Sequence, residues 1–273
     1  MTSQAEQFAA LHAGPDILVL PNAWDAASAA VMEDAGAKAV ATSSAAVAWA
    51  HGYPDGDTLP LKNLLFTIET VARVVKVPVT ADIEGGYTDD LGQLSDTIKA
   101  VIGAGAVGIN LEDGARDPDL HARKIAAARK AADAAGTALF INARTDVYLK
   151  RLAEGDAAEA ETVRRAELYR TAGASGVFVP GPSDPELIGR LAAAIRLPLN
   201  IMLLPGLADA ARLQALGVRR VSSATAPFRA AYATVAKATA AFLEDGDPKA
   251  FAAGAEGLGN LNQRFGSPVR PAR

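Results

Sequence analysis

The chain has 273 residues, 50% of them hydrophobic and only 5% aromatic, with a formal net charge of −4 and no cysteine. That length suits one α/β barrel of about 250 residues. The lack of cysteine excludes disulfides, thiolate nucleophiles and cysteine metal sites, and the lack of a Lys/Arg run argues against nucleic acid. No apolar run reaches the ~18 residues of a membrane helix. The start MTSQAEQFAALHAG has neither the basic residues nor the apolar core of a secretory leader, so a cytoplasmic location is expected.

In chain order, β-rich runs occur at 17–21 (ILVLP), 39–43 (AVATS), 77–82 (VPVTAD), 107–112 (VGINLE), 138–144 (ALFINAR), 176–180 (GVFVP), 197–203 (LPLNIML) and 218–223 (VRRVSS). Ala-rich amphipathic stretches lie between them, at 25–36, 61–75, 91–105, 120–136 and 158–173. Gly36, Gly105, Gly136, Gly173 and Gly217 stand where such helices end, because glycine relieves the left-handed turn there. The strands are nearly continuous apolar runs, as strands covered on both faces should be. The pattern predicts a (β/α)8 TIM-type barrel, built as one domain over 1–273, with an open doubly wound sheet as the alternative. Residues 226–265 form an additional C-terminal helical extension, and the ending SPVRPAR is expected to be loose.

In barrels of this kind the C-terminal ends of the strands face the active site. Those ends carry Asn22 and Asp25; Thr42, Ser43 and Ser44; Asp82 and Glu84; Glu112 and Asp113; Arg144, Thr145 and Asp146; Asn200; and Ser222 and Ser223. A lone acid there is usually a helix cap, but successive units that end in acids or an arginine point further. Asp82, Glu84, Glu112 and Asp113 are hard oxygen ligands without a soft partner, which favours Mg2+, with Mn2+ also admissible. Mg2+ keeps much of its water, so some of these acids should act through water. Asp82 and Glu84 share a face if the strand continues, and Gly85 and Gly86 would let the backbone turn and leave room for a ligand. The alternative for Glu84 is a solvated loop acid. Arg144, after ALFINA, must be paired internally with Glu112 or Asp146, or bound to a carboxylate or phosphate, and both can hold together.

LPNAWDAASA (20–29), ADIEGGY (81–87) with INLED (109–113), and INARTDVYL (141–149) together resemble the isocitrate lyase / phosphoenolpyruvate mutase superfamily, over about residues 17–230. ADIEGGY is similar to that family's metal strand, with Glu84 in place of its second aspartate. HGYPDGD (51–57) is similar to its G-x-P-D loop, and LNIM (199–202) resembles the strand end of the lyase branch. The resemblance implies a Mg2+-dependent barrel that makes or breaks a C–C or P–C bond beside a pyruvate-like enolate. It implies Asp82 as direct metal ligand, with Glu84 and Glu112 acting through water. Backbone N–H groups of Ser43, Ser44 and Ala45 would hold the substrate carboxylate, and Arg144 that carboxylate or the enolate oxygen. Asp55 would orient water or move a proton, and Asn200 would meet the distal part of the substrate. A homo-oligomer, dimer or tetramer, is also implied, with 226–265 packed on a neighbouring subunit.

The departures carry as much information. The lyase K-[KR]-C-G-H loop is missing, and the segment after Glu112 reads DGARDPDLHARKI. The K-x-N-S gating segment of the mutase is missing too, and Gly181 stands where the lyase branch has a glutamate. The leading reading is therefore a Mg2+-dependent lyase or decarboxylase of a small 2-oxo or 2-hydroxy carboxylic acid. Decarboxylation needs an electron sink but no acid to start it. Retro-aldol cleavage would need a base, for which Asp55, His51 and Tyr53 are candidates. His121 is either a replacement acid or a solvated helix residue. The alternatives are a P–C mutase or hydrolase, with Arg116, Arg123 and Lys124 as its only phosphate contacts, and a non-catalytic binder of 2-oxo acids.

Overall fold

The computed structural model describes residues 3–266. Its strands are β1 Leu18–Leu20, β2 Asn22–Ala23, β3 Val40–Thr42, β4 Val79–Asp82, β5 Gly108–Glu112, β6 Phe140–Arg144, β7 Gly176–Val179, β8 Leu199–Met202 and β9 Arg220–Ser222. All pair in parallel, in the order β1-β9-β8-β7-β6-β5-β4-β3-β2. β1 and β2 are two halves of the first predicted strand. Pro21 divides them because it has no N–H to donate, although its carbonyl still accepts from the Ala41 amide at 3.0 Å. One half pairs with β9 and the other with β3. The first strand thus brings the sheet round on itself into the (β/α)8 barrel, and the doubly wound alternative is excluded.

The helices are α1 Gln4–Ala13, α2 Ala26–Asp34, α3 Ser44–Ala50, α4 Leu61–Val74, α5 Leu91–Gly103, α6 Pro118–Ala134, α7 Gly155–Thr171, α8 Pro185–Ala194, α9 Ala210–Ala215, α10 Ala226–Asp245, α11 Lys249–Gly254 and α12 Leu261–Gly266. α4 shows the general logic. Leu64, Ile68, Val71 and Ala72 recur at helical spacing and are buried, so one stripe faces the strands. Asp90, Asp117, Asp184 and Asp209 start α5, α6, α8 and α9 by accepting first-turn amides, as N-caps do. The predicted helix-end glycines all sit at positive φ, between 66° and 108°.

Strand side chains alternate between the two faces of the barrel wall. On β5, Ile109 and Leu111 pack outward with Leu94, Ile98 and Ile125, while Asn110 faces inward, accepting from Asn142 and Arg220. α1, which the strand–helix pattern does not announce, plugs the N-terminal end. Phe8 meets Phe140 edge-on at 5.5 Å, and His12 stacks on Phe140 at 3.9 Å. Gly108 makes this possible, since a Cβ there would lie 2.7 Å from the Phe8 ring. One end of the barrel is thereby filled.

The extension is three helices. Phe228 of α10 packs on Trp24 at 5.2 Å and on Trp49 at 5.6 Å, while Tyr232, Val235, Phe242 and Leu243 remain exposed. α12 is fastened by Arg264, which pairs with Glu33 at 2.6 Å and Asp34 at 2.9 Å and donates to the Val74 carbonyl at 3.1 Å. The ending SPVRPAR lies outside the described residues. No helix among the described residues is long and apolar enough to cross a membrane.

Candidate active site

Asp82 ends β4 at the centre of the mouth. Its Oδ2 accepts from Ser44, at 3.0 Å from Oγ and 3.3 Å from the amide, and its own amide donates to Thr42 Oγ1 at 2.9 Å. Its Oδ1 is buried with no partner among the described residues. Glu112 and Arg144 face one another in register on β5 and β6, which gives a 2.7 Å ion pair. Arg144 also forks onto Asp146, at 2.7 Å from Nε and 3.2 Å from Nη2, and lies over the Phe178 ring at 5.7 Å. The internal pairing foreseen for Arg144 is therefore real, and it leaves N–H donors on both terminal nitrogens.

Glu84 does not extend the strand. β4 stops at Asp82, and Glu84 sits in the left-handed region at φ 51°. Its Oε2 accepts from the amides of Gly56, at 2.9 Å, and Asp57, while Oε1 accepts from the Tyr87 hydroxyl at 3.1 Å. It is 3% exposed and so is no solvated loop acid. It clasps the loop that carries Asp55. The space at the two glycines is not left for a ligand either. A Cβ at Gly85 would meet the Arg116 guanidinium at 2.5 Å, and one at Gly86 would meet Leu94 at 2.6 Å.

Two further expectations are corrected. Asp113 does not belong to the mouth. It accepts from Arg165 at 2.8 Å, from Tyr169 at 2.7 Å and from the Asp146 amide at 2.9 Å, because the residue after inward-facing Glu112 must face the helices. His121 is neither solvated nor at the mouth. It is fully buried on α6, edge-on to Tyr169 at 4.7 Å, and burial pulls its pKa down to about 4. His51 caps the end of α3 and touches Thr67 Oγ1 at 3.0 Å. Of the predicted amides, Ser43's donates to the Ala23 carbonyl and Ser44's to Asp82. Ala45 lies in the first turn of α3. Asn200 is inside the barrel, with Oδ1 accepting from Ser222 at 3.3 Å and Nδ2 unpartnered.

The mouth is short of positive charge. Glu112 is pushed up to about 8, first by burial and then by Asp146 and Asp82, against the pull of Arg144. Burial pushes Glu84 up to about 7, against the Asp57 amide and with Asp82, Asp57 and Asp55 adding to it. Asp55 lies on an exposed loop, yet partial desolvation and then Asp82 raise it, while Arg144, Ser44 and the Gly56 amide oppose the shift. Among the described residues no three His, Asp or Glu groups form a metal cage. One free carboxylate oxygen with other acids held back by protein donors is a poor zinc site but suits Mg2+, which retains much of its water. Glu84 and Glu112 hold protons in the native state that the unfolded chain releases above pH ~4.5. Stability should therefore fall as pH rises from about 5 through 8. In chelator, the melting temperature is expected to drop by of the order of 5 °C over that range, since ~1 kcal/mol moves a chain of this size by ~2–4 °C. Saturating Mg2+ should remove most of the slope, and a slope indifferent to Mg2+ would contradict the assignment.

A model of the phosphoenolpyruvate phosphomutase family matches residues 8–243, a span containing every strand and every acid of the mouth. The chain belongs to this family. A structure from Burkholderia cenocepacia J2315, bearing a provisional phosphonomutase name, is 42% identical with a TM-score of 0.83, and the match covers 86% of this chain and 98% of that one. The oxaloacetate decarboxylase of Ectopseudomonas mendocina (strain ymp) is 30% identical over 186 residues, 66% of this chain and 63% of that protein. Phosphonopyruvate hydrolase, in complex with oxalate and Mg2+, shares the fold with a TM-score of 0.85 at 23% identity, covering 97% and 95% of the two chains. The relatives at 30% identity or more thus include a decarboxylase and a protein with a provisional phosphonomutase name, and this chain stands among enzymes.

Within this phosphoenolpyruvate phosphomutase-family barrel, Gly181 marks a local constraint. It has φ 117°, and a Cβ there would lie 2.8 Å from that of Tyr148, so no glutamate fits. Sequence reading missed Tyr87 on Glu84, and it missed Lys150, whose Nζ lies 4.0 Å from Asp146. It also missed Arg220, which is wholly buried and reaches across the barrel to Asn110 at 3.2 Å. The available signal was a charged residue at an inward position of the VRRVSS strand.

Proposed function

We propose that the chain is a Mg2+-dependent lyase or decarboxylase of a small 2-oxo or 2-hydroxy carboxylic acid, working through a pyruvate-like enolate. The observation that carries this reading is the free, buried Oδ1 of Asp82 in an acid-rich mouth that also holds the Arg144 fork. Asp82 would hold the ion directly, with Glu84 and Glu112 behind it. Bound there, Mg2+ supplies Lewis acidity toward the substrate's carboxylate and 2-oxygen. The remaining Arg144 N–H donors and the Ala45 amide offer fixed dipoles for a carboxylate or a developing enolate oxygen. Asn200 Nδ2 faces the barrel interior as a donor for the distal end. Asp55, its pKa raised from the ordinary aspartate value, is the candidate to return a proton to the carbanionic carbon after CO2 departs.

A P–C reaction is not favoured. Its would-be phosphate contacts are occupied, Arg116 by Asp57 and Asp89 and Lys124 by Asp89, and Arg123 is on the exposed face of α6. The test is calorimetric titration of pyruvate, oxaloacetate and 2-oxoglutarate with and without Mg2+, each mixture followed for pyruvate or CO2 release. Release that needs Mg2+ and stops in chelator is expected, with oxaloacetate the first candidate. Metal-dependent binding of every acid without product would indicate a binding protein, and binding indifferent to metal would overturn the site.

A further inference from the structure

The segment between β5 and α6 is short, residues 113–117, and carries Arg116 just before the helix. Its Nη2 pairs with Asp57 Oδ2 at 2.9 Å, and its Nε with Asp89 Oδ1 at 2.9 Å. Lys124, with no exposed surface, reaches the same Asp89 oxygen at 2.7 Å. The guanidinium lies against Gly85, where any Cβ would be 2.5 Å from Nη1 and 2.9 Å from Nη2. The base of the segment is anchored too. The Arg116 amide donates to the Asp113 carbonyl at 2.9 Å, and the Asp113 carboxylate is fixed by Arg165 and Tyr169.

On the far side of this contact is the loop that carries Asp55. Asp57 is held at φ 57°, a conformation a non-glycine residue keeps only when its surroundings enforce it. Its amide and that of Gly56 donate to Glu84, and its Oδ1 accepts from the Gly85 amide at 3.3 Å. Arg116 takes the other oxygen. The loops after β3, β4 and β5 are thereby tied at one point, immediately after Asp55. The Arg116 and Asp57 side chains are 28% and 26% exposed, so solvent screens their attraction less than that of a surface pair.

We infer that Arg116 is a positioning residue, a latch that fixes the Asp55 loop to the metal-bearing strand so that Asp55 is set at the mouth before substrate arrives. This rests on the role proposed for Asp55. A segment tied at both ends is not free to swing in and deliver an acid, which accords with a reaction that needs none to begin.

The experiment is hydrogen–deuterium exchange on the full chain without substrate, comparing wild type, Arg116→Ala, Arg116→Lys and Asp57→Asn, beside melting curves and steady-state kinetics. Exchange at residues 55–57 is expected to rise about tenfold in Arg116→Ala and Asp57→Asn while β5 and β6 stay protected. Arg116→Lys should recover part of the protection, because an ammonium keeps the charge without the fork. kcat should fall about tenfold with little change in KM, the signature of a misplaced group rather than lost binding. Unchanged exchange in both Arg116→Ala and Asp57→Asn would overturn the latch. Faster exchange with wild-type kcat would overturn its role in positioning Asp55. A wild-type chain that turns over none of the acids would overturn the reading of the site, and exchange alone would then decide whether the latch exists.

Discussion

Replacing Asp82 with asparagine is expected to remove Mg2+-dependent binding of the 2-oxo acid and to lower kcat/KM by at least ~10³-fold, the scale of losing the electrostatic centre of a site. The change barely alters volume, so packing cannot explain the loss. What changes is the charge on the one buried carboxylate oxygen that lacks a protein partner among the described residues. The amide oxygen can still accept from the Ser44 hydroxyl and amide, which leaves a neutral NH2 where the carboxylate oxygen faced the ion. Stability should move the other way. The Asp82 charge helps to raise Glu84, Glu112 and Asp55, so its removal should flatten the fall in melting temperature between pH 5 and 8. Lost function with retained or improved stability marks a group kept for chemistry rather than folding. Calorimetry with Mg2+ and melting curves on the same variant check both halves, and activity within ~10-fold of wild type would remove Asp82 from the centre of the proposal.

The barrel was legible because its strands are apolar runs that end in polar groups and its helices stop at glycines, which are local properties. The mouth acids were legible for the same reason. What escaped depends on contacts between distant segments. Asp113 looks like Glu112's equal in the sequence, yet strict alternation sends it to Arg165 and Tyr169, and applying that alternation would have separated the two. Glu84 would share the face of Asp82 only if β4 continued, but the left-handed turn redirects it to the Asp55 loop, and nothing in ADIEGGY fixes where pairing stops. Gly85 and Gly86 make room not for a ligand, as expected, but for Arg116 and Leu94, which only the folded chain brings there. α1 escaped because Phe8 and His12 become a plug only against Phe140.

Arg144→Met is the second substitution with a large expected effect, and it separates pairing from chemistry. Arg144 is 13% exposed and joins two acids, of which Asp146 is fully buried. Its removal leaves Glu112 without its partner and Asp146 with only Lys150 at 4.0 Å, a loss of about 3–5 kcal/mol for a buried pair, or ~10 °C in melting temperature. Glu112, already pushed up to about 8 with Arg144 holding it down, should then stay protonated further into the alkaline range. Turnover should fall by ~10²–10³-fold if the free N–H donors of Arg144 meet the substrate. Arg144→Lys restores a charge opposite Glu112 but not the fork onto Asp146, so it should recover much of the stability and little of the activity. Adding Glu112→Gln to Arg144→Met replaces the buried acid that lost its partner with a neutral amide and should return part of the melting temperature at alkaline pH, where Glu112 would ionise. If that double variant also regained activity, Arg144 would act only by neutralising Glu112. If it regains stability alone, the guanidinium is needed at the substrate itself.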